Sequence, residues 1–197
     1  WDPGEGLEDS SVQEYLNQKN AIRFLVKDGK PLEGQAIPQN LSTPTHQARY
    51  ERPFTMHAAL APSSACALWD GEKLWITTHS QGIYILRESI AESLGLALDD
   101  VILEFMPGSG CYGHNGADDA AFEAALVAMS RRNTPILLKW SREDEHAWEP
   151  YGPASATELA AIVTPEGQIT AFSAEAIGGT FRGRPRSGAD LAGPAKL

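Results

Sequence analysis

A cysteine at 111 and a histidine at 114 lie in the run GSGCYGHNGADDAAFEAALVAM, Gly108 to Met129, directly ahead of a helix-like pattern. A thiolate at a helix N-terminus has a lowered pKa, and an imidazole three residues on could act as its base. Nucleophilic chemistry is therefore one reading of Cys111 and His114. No third orienting group is identifiable, so the plainer reading makes Cys111 a small residue packed beside the loop. The glycines suggest a second chemistry, because backbone N–H groups ahead of a helix, with its dipole behind them, form an anion site. A Walker A loop is excluded, since no Lys-Ser or Lys-Thr pair follows at the required spacing. Gly108, Gly110 and Gly113 match a GxGxxG frame, yet Pro107 and the upstream hairpins do not fit an opening βαβ unit. A tight strand-to-helix turn without a ligand stays open beside these readings.

Gln81, in WITTHSQGIY, occupies an equivalent place after a strand and before a helix. Two such turns can sit side by side at the ends of neighbouring strands, where ligands gather. An amide there could donate one hydrogen bond and accept another, or simply bond local backbone. His57 and His79 have no metal-ligand spacing and read as structural. Cys66 and Cys111 lack the CxxC spacing of zinc or redox sites. REDE, Arg142 to Glu145, reads as a solvated charged turn.

The elements that must position these residues follow from period and turn chemistry. A short helix is predicted after Ser10 or Ser11, with Val12, Tyr15 and Leu16 on one face. AIRFLVKDGKP reads as a strand ending in an Asp-Gly turn, and residues 32–47 as a surface connector. SACALWDGEKLWITTHS reads as a hairpin turning at Asp70-Gly71. A helix follows, with Ile83, Leu86, Ile90 and Leu94 on one face and Gly95 as its C-terminal cap. DDVILEFMP is a strand entering the glycine loop. The next helix is predicted over 117–132 with Phe122, Leu126 and Met129 as its stripe, and Asp118 and Asp119 favouring the dipole in its first turn. TPILLKW is a strand, and a final hairpin turns at Glu166-Gly167. The fold class is α+β, with mixed sheets and helices on one face. Residues 1–47 form a lead segment, 48–180 the main domain and 181–197 a tail.

The 197 residues carry a net charge of −10, with no Lys/Arg run to neutralise phosphates, so nucleic acid is not an expected partner. No apolar run reaches membrane-spanning length. The chain opens on Trp1 and is expected to be a piece of a longer protein.

YERPFTMHAALAP, LWITTHSQGIYILRESIAESLGL, VILEFMPGSGCYGHNGADDAAFEAALVA and PILLKWSREDE occur in this order. Together they resemble the molybdenum-cofactor-binding large subunit of the xanthine dehydrogenase and aldehyde oxidase family, nearest its isoquinoline 1-oxidoreductase β-subunit branch. The resemblance implies the α+β molybdopterin-binding fold. It also implies that Gln81 hydrogen-bonds an oxo ligand of the molybdenum, and that Gly110, Cys111, Tyr112 and Gly113 run beside the metal and pterin. Asn115 stands where xanthine dehydrogenases have a substrate-contacting glutamate, which makes it a substrate-pocket candidate and argues against purines. The implied cofactor is molybdopterin, as the cytosine dinucleotide. The implied reaction is hydroxylation of an aldehyde or aromatic N-heterocycle, with electrons leaving through [2Fe–2S] clusters on an iron–sulfur small subunit. The family's general-base glutamate would lie beyond residue 197, so no catalytic residue and no direct metal ligand is assigned within this chain. The compartment, cytoplasmic or periplasmic, stays open. Two other classes remain beside this one: a cysteine-dependent hydrolase using Cys111 and His114, and a binding module that has lost the cofactor.

Overall fold

The structure is a computed structural model that describes residues 14, 16, 25–32, 41–179 and 191. Glu14 and Leu16 are helical; the rest of the short helix predicted near the start lies outside the described residues. The chain divides into two compact units, residues 1–55 with 153–180, and residues 56–152 with 181–197. This division cuts across the 48–180 span drawn from the sequence, because residues 48–52 pair with a strand that begins at Ser155.

In the first unit, β1 (Leu25–Lys27) and β2 (Lys30–Leu32) form a hairpin. Asp28 and Gly29 both take positive φ, 53° and 74°, the pairing an Asp-Gly turn of this kind requires. The strand β3 (His46–Arg52) begins two residues inside the expected connector. It lies antiparallel to a later strand, Ser155–Val163, which pairs in turn with Ile169–Gly178 to complete a three-stranded sheet.

The second unit holds the candidate site. Its four-stranded sheet contains β4 (Ser64–Trp69), β5 (Leu74–Thr78), β6 (Val101–Phe105) and β7 (Ile136–Lys139), in the order β6-β5-β4-β7. β5 and β6 run parallel, and the other pairs are antiparallel. Period-2 alternation turns Ala65, Ala67, Leu74 and Ile76 to one face, against the helices α1 (Ile83–Leu94) and α2 (Ala117–Met129). On α1 the apolar face buries Leu86 and Ile90 completely. Gly95 ends this helix with φ at 66°, and the Leu96 N–H returns to the Ala91 carbonyl at 2.9 Å.

The packing stripe of α2 differs from the one expected. Leu126 is 45% exposed, whereas Ala121, Ala124, Ala125 and Ala128 enter the core with Phe122. Alanines let the helix axis approach the sheet closely, so the stripe is set by small residues and the larger Leu126 is turned outward. Leu191 packs on this core and donates its N–H to Ser93 Oγ at 2.9 Å.

Candidate functional site

β5 and β6 end level with each other, Thr78 opposite Phe105, and the Met106 N–H donates to the Thr78 carbonyl at 2.9 Å. Each strand then feeds a helix, through residues 79–82 into α1 and through residues 106–116 into α2. The two turns therefore lie side by side beyond the carboxyl ends of parallel strands, the place where α/β layers bind ligands. Gln81 is exposed there, beside an open hollow of about 440 Å³ lined by residues 80–85 and Phe105.

The glycine loop presents backbone to solvent: Gly108, Ser109, Gly110, Tyr112 and Gly113 are all exposed, and Cys111 is half-buried. Gly110 and Tyr112 take left-handed φ values of 90° and 54°. The other glycines serve the inner side of the loop. A Cβ on Gly113 would stand 2.0 Å from His57 Nδ1, one on Gly108 2.7 Å from the His79 ring, and one on Gly116 2.1 Å from the Trp140 ring. Three aromatic rings thus press on the loop backbone from within, and glycine is the residue that lets them. This is the structural role of His57 and His79.

His79 Nε2 accepts the Ser64 N–H at 3.3 Å, which requires a bare nitrogen, and burial holds the imidazole pKa below its ordinary value.

Cys111 and His114 do not form a nucleophile-and-base pair. Cys111 Sγ donates to the Gly113 carbonyl at 3.1 Å and accepts the Asn115 N–H at 3.4 Å. The buried His114 directs Nε2 to Asp118 Oδ2 at 3.1 Å, and the other oxygen of Asp118 accepts the Ser80 hydroxyl. The carboxylate thus stands between hydroxyl and imidazole, whereas a serine triad needs the imidazole in the middle. Asn115 is also buried; its Oδ1 accepts the Ala117 N–H at 3.3 Å while Nδ2 lies 3.4 Å from both the Gly110 carbonyl and His79 Nδ1. Its amide is engaged behind the loop.

The charged turn REDE is solvated only in part, which corrects the reading from sequence: Glu143 and Asp144 are exposed, but Arg142 is half-buried and Glu145 is fully buried. Ser141 and Asp144 form a capping box that starts α3 (Arg142–Trp148). Arg142, Glu145 and Glu149 then fall on one helical face, at spacings of three and four. Arg142 donates to the Ala59 and Leu60 carbonyls at 2.8 and 2.7 Å, and Glu149 accepts the His57 N–H at 2.6 Å. Glu145, fully buried, accepts the Ser63 N–H at 2.6 Å, the Ser63 hydroxyl at 3.1 Å and the Gly116 N–H at 3.0 Å. The spacing of Arg142, Glu145 and Glu149 was visible in the sequence. So was the i,i+4 spacing of His114 and Asp118. Their backbone and hydroxyl partners, 29 to 92 residues away, were not.

Among the described residues no group of three or more His, Cys, Asp or Glu side chains could hold a metal ion, and no helix is long and apolar enough to cross a membrane. The site instead offers a neutral amide and exposed loop backbone, groups suited to hold a cofactor whose metal carries its own ligands.

The profile of the molybdopterin cofactor-binding domain matches residues 29–180, and the chain belongs to that family. A nicotinate dehydrogenase subunit of Pseudomonas putida is 32% identical over 178 residues, covering 87% of this chain and 14% of that protein. The aldehyde oxidoreductase molybdenum-binding subunit PaoC of Escherichia coli K12 is 30% identical over 137 residues, covering 69% of this chain and 19% of that one. The chain thus spans less than a fifth of either relative. The aldehyde oxidoreductase structure from Desulfovibrio gigas shares the fold, with a TM-score of 0.53 and 16% identity over 69% of this chain and 15% of that one.

Proposed function

We propose that this chain forms one wall of the molybdopterin site in the catalytic subunit of a molybdenum hydroxylase. The observation that carries the reading is the exposure of Gln81 and of the Gly110–Gly113 backbone in adjacent turns, within a segment of the molybdopterin-binding family. The bound cofactor would supply the oxidation and oxygen transfer. The chain supplies position and neutral hydrogen bonds. The Gln81 amide would donate to an oxygen of the cofactor without adding charge, and the amides around Gly110, Cys111, Tyr112 and Gly113 would lie along the pterin. Asn115 would act on the substrate side by bracing the loop beneath it.

The similarity to the nicotinate dehydrogenase subunit and to PaoC favours an N-heterocyclic aromatic or an aldehyde as substrate. The finer reading adds the isoquinoline 1-oxidoreductase branch, the cytosine dinucleotide form of the cofactor and a partner subunit carrying [2Fe–2S] clusters. The general-base glutamate would come from the remainder of the subunit, so the 197 residues alone are expected to turn nothing over.

The test is the molybdenum and pterin-nucleotide content of the complete subunit, co-expressed with its neighbouring genes. About one molybdenum and one cytosine dinucleotide per chain is the expected result, as a resident redox cofactor requires. A folded subunit with neither would overturn the hydroxylase reading and leave a binding module that has lost the cofactor.

A further inference from the structure

Gln81 has no helix cap to fix it. Gly82 is the N-cap of α1 and makes no side-chain cap bond, and Gln81 itself is exposed. The residue before it anchors the adjoining backbone. Ser80 Oγ accepts the Gly82 N–H at 3.0 Å, and the Ser80 N–H donates to Thr78 Oγ1 at 3.2 Å. The peptide unit that follows Gln81 is thereby tied to Ser80, and the peptide unit that precedes Ser80 is tied to Thr78.

Ser80 is tied in turn to the glycine loop. Its hydroxyl proton goes to Asp118 Oδ1, leaving the oxygen lone pairs free for the Gly82 N–H. The second oxygen of Asp118 takes His114 Nε2 at 3.1 Å. His114 directly follows Gly113, and its neighbour Asn115 reaches the Gly110 carbonyl. Ser80, His114 and Asp118 are 2%, 4% and 5% exposed, so water does not compete for these bonds. A carboxylate suits the place because two acceptor oxygens can each take one donor, one from each turn.

We propose that Asp118, acting through Ser80, is a positioning residue that holds Gln81 in register with the Gly110–Gly113 backbone. It touches neither cofactor nor substrate. The inference rests on the reading of Gln81 as a cofactor contact and goes one layer behind it. Outer hydrogen-bond partners of this kind orient the groups that meet a metal centre and tune what it senses.

The experiment is a double-mutant cycle on the complete, molybdenum-loaded subunit with its partner: Ser80→Ala, Gln81→Ala and the pair. Three quantities are read for each: molybdenum per chain, the thermal midpoint, and the pentavalent-molybdenum EPR spectrum after reduction with sodium dithionite. Ser80→Ala is expected to keep its molybdenum and to shift the EPR signal. On the Gln81→Ala background it is expected to add no further shift, because Ser80 acts through Gln81. Ile90→Val, a core change in α1 with a comparable loss of stability, should leave the signal unmoved. Asp118→Asn should stay near wild type, since it keeps an acceptor for Ser80 and its amide can face a bare Nε2 on His114. Asp118→Ala should reproduce Ser80→Ala, and Ser80→Ala carries the test if the Asp118 variant does not fold. A Gln81→Ala signal identical to wild type would overturn the reading of Gln81 and this proposal with it. A shifted Gln81→Ala signal would overturn this proposal alone if it came with an unshifted Ser80→Ala, or with a Ser80→Ala effect that survives in full on the Gln81→Ala background.

Discussion

The buried Glu145 carboxylate accepts the backbone N–H of Gly116 at 3.0 Å, across 29 residues of chain. Gly116 is the N-cap of α2 and provides no side chain of its own. A carboxylate from α3 therefore satisfies an amide at the start of α2 and, through its bonds to Ser63, ties the 57–63 segment to the end of the glycine loop. Negative charge at a helix N-terminus is favourable, and here the carboxylate is fully desolvated and satisfied by three donors.

Removing Glu145 should leave two amides and a hydroxyl unpaired in the interior. Glu145→Ala is expected to lose about 3 kcal/mol or more in equilibrium denaturation, from the desolvation of those donors. Glu145→Gln keeps one acceptor oxygen and should cost less. Equal losses in the two variants would contradict this account.

Gly116 has ordinary helical-side backbone, φ −79°, so an alanine there is resisted by packing, with the Trp140 ring nearest to the added Cβ. Gly116→Ala should cost about 1–3 kcal/mol by overpacking. On a Trp140→Leu background, where the ring is gone, most of that cost should vanish.

Gln81 should behave in the opposite manner. It is exposed, so Gln81→Ala is expected to change stability by about 0.5 kcal/mol or less. A large loss would mean that the amide is holding the scaffold.

His79 gives a pH dependence with a definite sign. Burial lowers its pKa, against the opposing charges of Glu145 and Asp118, so the folded protein keeps it neutral. As pH falls below the ordinary histidine value of 6.5 the unfolded chain takes up the proton first, and His79's contribution to stability is progressively lost. Asp119 works in the other direction. Its side chain reaches solvent, yet burial of its turn and the charges of Asp118 and Glu123 push its carboxyl up to about 6. Its contribution therefore declines as pH rises. The difference between wild type and His79→Gln isolates the histidine: it should shrink between pH 7.5 and 5.5 in thermal melts.

Alkylation should separate the two cysteines. Cys66 is exposed, while Cys111 is half-buried with its thiol bonded to the Gly113 carbonyl. Iodoacetamide should label Cys66 faster on the isolated chain. Faster labelling of Cys111 would revive the hydrolase reading.

Local chemistry was enough to locate most elements. The Asp28-Gly29, Asp70-Gly71 and Glu166-Gly167 turns, the Gly95 cap and the alternation of β4 and β5 each depend on residues within one turn or one strand. The pattern HSQG and the run GSGCYGHNGADDAA were likewise enough to mark both walls of the candidate site and to suggest the family. The role of a side chain such as Glu145 could not be had this way. Its charge reads as solvated until Ser63 and Gly116 are brought to it, and those partners lie 82 and 29 residues away. The same holds for the loop glycines, whose need for a bare Cα comes from His57, His79 and Trp140 pressing on them. It holds for the α2 stripe too, because only the distance to the sheet decides between alanine and leucine. Types, periods and turns are properties of neighbouring residues and were determined by the sequence itself. Which buried donor meets which buried acceptor is decided when distant segments share one interior, and that only the tertiary structure contains.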